Sequence, residues 1–251
     1  MADPRDGVKI QGTALITGAA RRLGRALAWA LAGQGADVVV HYHRSADEAA
    51  SLVRDIRGLG VRAWPVQADL RDHAQVGGLF DLALREAGPI DVLVNNASVW
   101  PEETVWDMSE ASLQAAMQIH VAAPLILSRC LAGQGRPGHI VNILDTRVTG
   151  YDKAHAAYHL SKRALLTLTR MLALELAPGV AVNGIAPGLI LAPEGQDQTY
   201  LQRLAHTNPM NRHGHPQDVV DALLFLLRSR FVTGQVIYVD GGFHMKGHLY
   251  D

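Results

Sequence analysis

Thr13-Ala14-Leu15-Ile16 runs without a break into Thr17-Gly18-Ala19-Ala20-Arg21-Arg22-Leu23-Gly24, and an apolar helical pattern over Leu23–Leu31 follows at once. A short apolar run, a glycine turn and a helix make up the opening unit of a nucleotide-binding sheet. Gly18 permits a tight turn and Gly24 permits close packing of helix on strand. The start of the helix offers unpaired N–H groups to a pyrophosphate. A two-glycine turn alone is a weak signal, because any strand-to-helix turn can carry it. Its place near the N-terminus, ahead of the only Tyr-x-x-x-Lys helix, makes it a strong one.

Outward from that unit, strands and helices alternate to the end of the chain. Asp37–Val40, Arg62–Val66, Val92–Val94, His139–Ile143, Val180–Asn183 and Gln235–Val239 read as strands. Ala46–Leu59, Ala74–Ala87, Leu113–Leu131, Tyr158–Leu176 and Pro216–Leu227 read as helices. Val38–Val40 shows no in/out alternation, which suits a parallel sheet covered on both faces. The expected class is therefore α/β, a doubly wound, Rossmann-type parallel sheet, with residues 1–251 forming a single domain. The least regular stretch runs from Leu189 to Gly214 and carries Pro193, Gly195 and Pro209. Inside a compact domain it reads as a mobile substrate lid rather than a boundary.

The formal net charge is −1, so no electrostatic footprint points to nucleic acid or an anionic membrane. No uninterrupted apolar run approaches the ~20 residues of a membrane span. The N-terminus, Met1 to Gln11, is mixed and charged, unlike a signal peptide. The single cysteine, Cys130, cannot form an internal disulfide and reads as a packed helix position rather than a catalytic thiol. A cytoplasmic protein is expected. His213-Gly214-His215 lacks an accompanying carboxylate or cysteine pattern, so no metal site is expected there.

The chemistry-bearing stretch is Tyr158-His159-Leu160-Ser161-Lys162, with Asp145 thirteen residues before the tyrosine. Four residues apart on a helix, Tyr158 and Lys162 share a face. An ammonium there is expected to lower the tyrosine pKa and make it a proton donor or acceptor near neutral pH. At the other end of the chain, the second strand closes with His41-Tyr42-His43-Arg44-Ser45. An NAD-binding sheet places an acid at that strand end to accept from the ribose 2′-OH. Here His43, Arg44 and Ser45 offer donors instead, which suits a 2′-phosphate; the bland alternative for Arg44 is a solvated loop charge.

These motifs resemble the short-chain dehydrogenase/reductase family over nearly the whole chain, Thr13 to Gly242. Its glycine pattern is Thr-Gly-x-x-x-Gly-x-Gly, and Arg22 replaces the middle glycine. A guanidinium there can grip phosphate or reach a substrate carbonyl; the alternative is an exposed arginine on the first helical turn. Ala68-Asp69-Leu70 resembles the segment with the family's adenine-contacting Asp. Asn95-Asn96-Ala97-Ser98 resembles its Asn-Asn-Ala-Gly, and Ala186-Pro187-Gly188-Leu189 the segment along the nicotinamide. Asp240-Gly241-Gly242 resembles the usual close of its last strand. Three details resemble the pteridine reductase branch, and more closely its bacterial dihydromonapterin reductases. They are Arg21-Arg22 in the glycine loop, Asn96-Ala97-Ser98-Val99-Trp100, and Asp145 where the wider family has Ser. His120 stands where the family's catalytic Asn is found, and is either a buried structural side chain or a proton relay.

The resemblance implies bound NADPH, held by Gly18, Arg21, Arg22, Leu23, His43, Arg44, Ser45, Asp69, Leu70, Asn96, Ala97, Ser98, Tyr158, Lys162, Pro187, Gly188 and Leu189. It implies Asp145, Tyr158 and Lys162 as catalytic residues, and Arg22, Ser98, Trp100, Asp145 and Tyr158 around a pterin. A homotetramer is also implied. Physical chemistry agrees with the narrowing. A carboxylate beside a carbonyl would repel the developing alkoxide, whereas a pterin is flat, rich in N–H donors and reduced at C=N. Trp100 offers a ring to stack on it, packing in the core being its competitor. The expected reaction is NADPH-dependent reduction of a dihydropterin, 7,8-dihydromonapterin first, with dihydrobiopterin and dihydrofolate as further substrates. The rivals are an ordinary carbonyl reductase acting on 3-oxoacyl thioesters, and a non-catalytic NADPH sensor.

Overall fold

The computed structural model describes residues 10–151 and 153–248. Seven strands form one parallel sheet: β1 (Thr13–Ile16), β2 (Asp37–Tyr42), β3 (Ala63–Gln67), β4 (Ile90–Asn95), β5 (Gly138–Ile143), β6 (Val180–Pro187) and β7 (Val236–Val239). Their order across the sheet is β3-β2-β1-β4-β5-β6-β7. The chain therefore winds outward one way from β1 to β3 and the other way from β4 to β7. The reversal between β1 and β4 opens the crevice where such sheets bind ligands. Pro65 sits within β3, which it can do because β3 is an edge strand and needs no N–H on its outer side.

Every strand reading is recovered, with ends that move by a few residues. The helices are α1 (Arg22–Gly33), α2 (Ala46–Arg57), α3 (His73–Ala87), α4 (Glu110–Met117), α5 (Ala123–Gly133), α6 (Ala156–Glu175), α7 (Gln198–Leu204) and α8 (Pro216–Arg228). Alternate residues of β1 feed two cores. Ala14 and Ile16 pack with α1, α2 and α8 on one face. Leu15 packs with α3 and α5 on the other. Two apolar faces explain why the inner strands show no polar alternation.

Two expectations change. The helix expected over Leu113–Leu131 is α4 and α5 joined by a π-helical turn, Gln118–Ala122. Pro124 supplies the reason. It has no N–H for the His120 carbonyl four residues back, so the ladder loosens and the Ala123 amide reaches to Gln118 O instead. The whole stretch Glu110–Gly133 is long and apolar enough on average to cross a membrane by length and composition, although Gln114, Gln118, His120 and Arg129 interrupt it. In this fold α4 packs on α6 and α5 packs on α3. The second change lies within Leu189–Gly214, which is not irregular throughout. It contains α7, whose N-terminus is capped by the Asp197 carboxylate accepting from Thr199 N.

Candidate active site

The strand C-termini surround an open crevice of about 1220 Å³, lined by every residue singled out above for the site. Its first wall is the glycine loop. Gly18 has φ +62°, and a Cβ on Gly24 would lie 2.2 Å from Gly18 O, so both positions need glycine. Arg22, where the family has its middle Gly, also takes a positive φ of 52°. An L side chain held there is strained. Its guanidinium reaches over the crevice to donate to Ala192 O at 2.5 Å, while Arg21 pairs with Glu194 at 2.6 Å. The arginine pair thus ties the glycine loop to the segment after β6.

Behind the loop, Asn96 donates its side-chain NH2 to Thr17 O and Gly18 O, and its backbone N–H to Thr17 Oγ1. His41, buried beneath, accepts from Gly18 N at 3.0 Å on Nδ1, and its Nε2–H donates to Ala68 O at 3.1 Å. Burial pushes its pKa down to about 4, and neighbouring His43 adds to the fall, against the pull of Ala68 O and Asp69. The loop is therefore shaped by two uncharged side chains. The α1 N-terminus carries no side-chain cap and no acid in its first turn, which leaves its amides for an anion.

At the β2 end, Ser45 stands at the N-cap of α2, its side chain accepts no hydrogen bond from the helix amides, and it lines the crevice. Asp37, at the far end of the strand, is bound by Arg62. Asp69 is gripped by Arg71 through Nε and Nη2, and this pairing holds its carboxyl down at about 2. His43 lies 3.6 Å from the same carboxylate. Arg71 was not anticipated from the sequence, although a guanidinium two residues from a crevice Asp was there to be read.

The substrate end is built differently. Asp145 follows β5 and accepts from the Tyr158 hydroxyl at 2.8 Å on Oδ2 and from Arg147 N at 2.7 Å on Oδ1. Lys162 is buried, donates to Ile143 O at 2.6 Å, and lies 5.7 Å from the Tyr158 ring centre. Burial brings Lys162 down to about 8, with Asp145 pulling the other way. The expectation that Lys162 lowers the Tyr158 pKa is overturned. Burial and the Asp145 carboxylate raise it well above 10, and Arg147 only partly opposes them. A phenol donating to a carboxylate keeps its proton, so Tyr158 stays protonated.

Trp100 is 43% exposed, at the rim rather than in the core. One face stacks on His155 at 4.2 Å, and its ring meets Tyr158 edge-on at 6.3 Å. His155 donates Nδ1–H to Pro101 O, which fixes its ring. The sequence reading missed His155 and Arg147, and took Asp240 only as the close of the last strand. Asp240, buried at the end of β7, accepts from the Thr146 hydroxyl and from His244 N and Nδ1, so it anchors the turn that carries Asp145. Tyr200, Leu204 and Thr207 also line the crevice, which brings α7 and the turn after it to the site.

The remaining candidates have plain structural roles. His215 caps α8 in a reciprocal box with Asp218. Among the described residues no group of three or more His, Cys, Asp and Glu is placed to hold a metal. Cys130 is half-buried, and burial together with Asp81 raises its thiol pKa.

Comparison with known proteins adds a second line of evidence. The enoyl-(acyl carrier protein) reductase family model, of the short-chain dehydrogenase/reductase type, matches residues 18–244. A dihydromonapterin reductase of Shigella boydii is 35% identical over 237 residues, covering 92% of this chain and 96% of that protein. The crystal structure of FolM alternative dihydrofolate reductase 1 from Brucella canis, complexed with NADP, superposes with a TM-score of 0.86. It shares 36% identity and covers 93% of this chain and 94% of its own. A gluconate 5-dehydrogenase of Burkholderia cenocepacia, in complex with NADP and tartrate, also reaches 0.86 at 29% identity, covering 96% of this chain and 98% of its own.

Proposed function

The chain belongs to the short-chain dehydrogenase/reductase family, and we propose that it is an NADPH-dependent pteridine reductase acting on a dihydropterin, 7,8-dihydromonapterin before dihydrobiopterin or dihydrofolate. The observation that carries this reading is the 2.8 Å contact between Asp145 and the Tyr158 hydroxyl. A gluconate dehydrogenase shares the fold equally well, so the fold does not choose the substrate. The carboxylate does. It suits a ring rich in N–H donors and opposes an alkoxide forming beside it.

The crevice fits NADPH on its own geometry: an uncapped helix N-terminus, two loop glycines that tolerate no Cβ, and His43, Arg44 and Ser45 at the β2 end. Bound there, NADPH supplies the hydride, and that chemistry is the cofactor's own. Gly18, Arg21, Arg22 and Leu23 hold the pyrophosphate. His43, Arg44 and Ser45 hold the 2′-phosphate, and Asp69 and Leu70 line the adenine. Asn96, Ala97 and Ser98 with Pro187, Gly188 and Leu189 flank the nicotinamide, and Lys162 and Tyr158 meet its ribose.

Tyr158 holds a proton at Oη for the substrate end. Asp145 orients that hydroxyl and accepts from ring N–H groups, and Arg22 and Ser98 meet the ring edge. Trp100 stacks on the ring with the face that His155 leaves open. The stretch 189–214 serves as the substrate loop of a single domain spanning 1–251. Dihydrofolate as a substrate finds support in the Brucella relative's name. A homotetramer in the cytoplasm completes the reading, supported by the exposed apolar residues Leu160, Met171 and Leu174 on α6.

The test is NADPH oxidation with dihydromonapterin, dihydrobiopterin and an acetoacetyl thioester in parallel. Turnover of the pterins alone is expected. Turnover of the thioester alone would establish the carbonyl reductase, and turnover of none a sensor.

A further inference from the structure

Ser98 faces the crevice with a hydroxyl whose one hydrogen is already committed, and His120 commits it. The assignment follows from counting donors. Ser161 Oγ donates to Tyr158 O at 2.7 Å, and a carbonyl only accepts. Ser161 must then accept from His120 Nδ1 at 2.7 Å, so Nδ1 carries a proton. At the opposite edge of the ring, Val99 N–H points at His120 Nε2 from 3.3 Å, and an amide only donates. Nε2 is therefore bare. Ser98 Oγ, 2.9 Å away, gives its hydrogen to Nε2; its other acceptor, Val99 O, is more distant at 3.4 Å. Two independent constraints give the same tautomer.

The result is a one-way chain, Ser98 to His120 to Ser161 to the Tyr158 carbonyl, that joins the loop after β4 to α6. His120 can span it because the π-turn at Gln118–Ala122 carries the ring, buried and edge-on to Tyr158 at 5.6 Å. Burial, with Lys162 nearby, pushes its proton affinity well below the usual histidine range, which keeps the ring neutral. Protonation would aim an N–H at the Val99 amide.

We propose that His120 is the positioning residue that sets the polarity of Ser98, leaving that hydroxyl only lone pairs for the crevice, so that the site selects a flat ring presenting an N–H or NH2 edge there over one presenting a carbonyl. This rests on the pteridine reading above and names the contact through which the substrate is told apart. A merely structural histidine would brace α6 against the loop, and its loss would damage cofactor and substrate binding together.

Two measurements test it. In the wild-type protein, nitrogen-15 NMR of labelled histidine should show His120 protonated at Nδ1 and bare at Nε2. An Nε2–H tautomer overturns the proposal without any variant being made. Kinetics then take His120→Asn, Ser98→Ala and the double variant. Asparagine is too short to reach both serines. His120→Asn should raise the pterin KM about tenfold, the scale of one hydrogen bond, with kcat within about twofold and the NADPH Kd unchanged. Ser98→Ala should raise the pterin KM by a similar factor, and the double variant should be no worse in pterin KM than Ser98→Ala alone. Additive losses, an unchanged KM in His120→Asn, or a parallel loss of NADPH affinity would each overturn it. Failure of the pteridine reading would show in the wild type itself, whereas failure of this proposal shows only in the tautomer or between variants.

Discussion

The two ends of the crevice each rest on a buried neutral histidine, and the two rings carry their proton on opposite nitrogens. His41, at the cofactor end, is bare at Nδ1 and protonated at Nε2. His120, at the substrate end, is protonated at Nδ1 and bare at Nε2. His41 receives a backbone amide and so fixes the shape of the glycine loop. His120 receives a side-chain hydroxyl and so fixes which way a polar group faces. The charged groups differ in the same sense. Around His41 stand exposed cations, Arg21, Arg22 and Arg44, whose charge does not depend on their surroundings. Around His120 lie Tyr158 and Lys162, whose protonation is displaced by burial. One end sets out permanent positive charge; at the other, burial sets the protonation states.

The largest expected effect belongs to His41. Its folded pKa of about 4 lies below the ordinary 6.5, so the folded state favours the neutral ring. Above 6.5 neither state binds the proton and nothing is lost. As pH falls from 6.5 to 4 the unfolded chain takes up a proton that the folded chain refuses. Stability should fall across that window by on the order of 3 kcal/mol and flatten below it. Urea unfolding of wild type and His41→Asn over pH 4 to 7 measures it: the wild type should show the steeper loss. Parallel curves would mean that His41 carries no proton linkage, and the contrast between the two ends would lose its cofactor half.

Next in size is Asp145. Asp145→Ser should cut pterin turnover by ~100-fold, the lower range for a positioned acid–base group. Asp145→Asn keeps the shape and removes the charge, which separates charge from fit. Both should retain NADPH affinity, because Asp145 touches Tyr158 and Arg147 N rather than the glycine loop. Turnover near wild type in both would leave the substrate end without its defining carboxylate.

The parallel sheet was legible because β-branched runs between helical patterns admit few other folds. The cofactor end was legible too, since its groups act through residue type: a glycine that must turn, an arginine that is always charged. What escaped depends on distance. The four-residue spacing of Tyr158 and Lys162 says that they share a helix face, and it suggested a tyrosine made acidic. Burial, together with the 2.8 Å contact to Asp145, reverses that sign. The π-turn was hidden because its cause, Pro124, sits inside an otherwise continuous apolar helix. α7 offered an Asp197 cap and a Leu201–Leu204 pair, too little periodicity for so short a helix.

A smaller effect sharpens the cofactor half. Arg44 is exposed and lines the crevice, with no carboxylate in ion-pair range among the described residues. Arg44→Ala should raise the KM for NADPH about tenfold, the scale of one charge-assisted hydrogen bond, and leave that for NADH nearly unchanged. The wild type should prefer NADPH. Equal catalytic efficiencies with the two cofactors would reject the assignment of the 2′-phosphate to His43, Arg44 and Ser45.

The smallest effect expected is at Trp100, where the substrate end meets solvent. The indole is 43% exposed, with one face on His155 and an edge-on contact with Tyr158. A ring stacked on the face away from His155 would meet an indole braced by that stack, and His155 is itself held by Pro101 O. Trp100→Leu should therefore weaken pterin binding by on the order of 1 kcal/mol, the value of an aromatic pair beyond its buried area. NADPH affinity should hardly change, since the indole is remote from the glycine loop in its contacts. The variant also loses the His155 stack, so its melting temperature must be recorded beside its pterin Kd. A small fall in melting temperature with weakened pterin binding supports stacking. A large fall with unaltered pterin binding would make Trp100 a packing brace for His155, and the aromatic side of the substrate end would have to be found elsewhere.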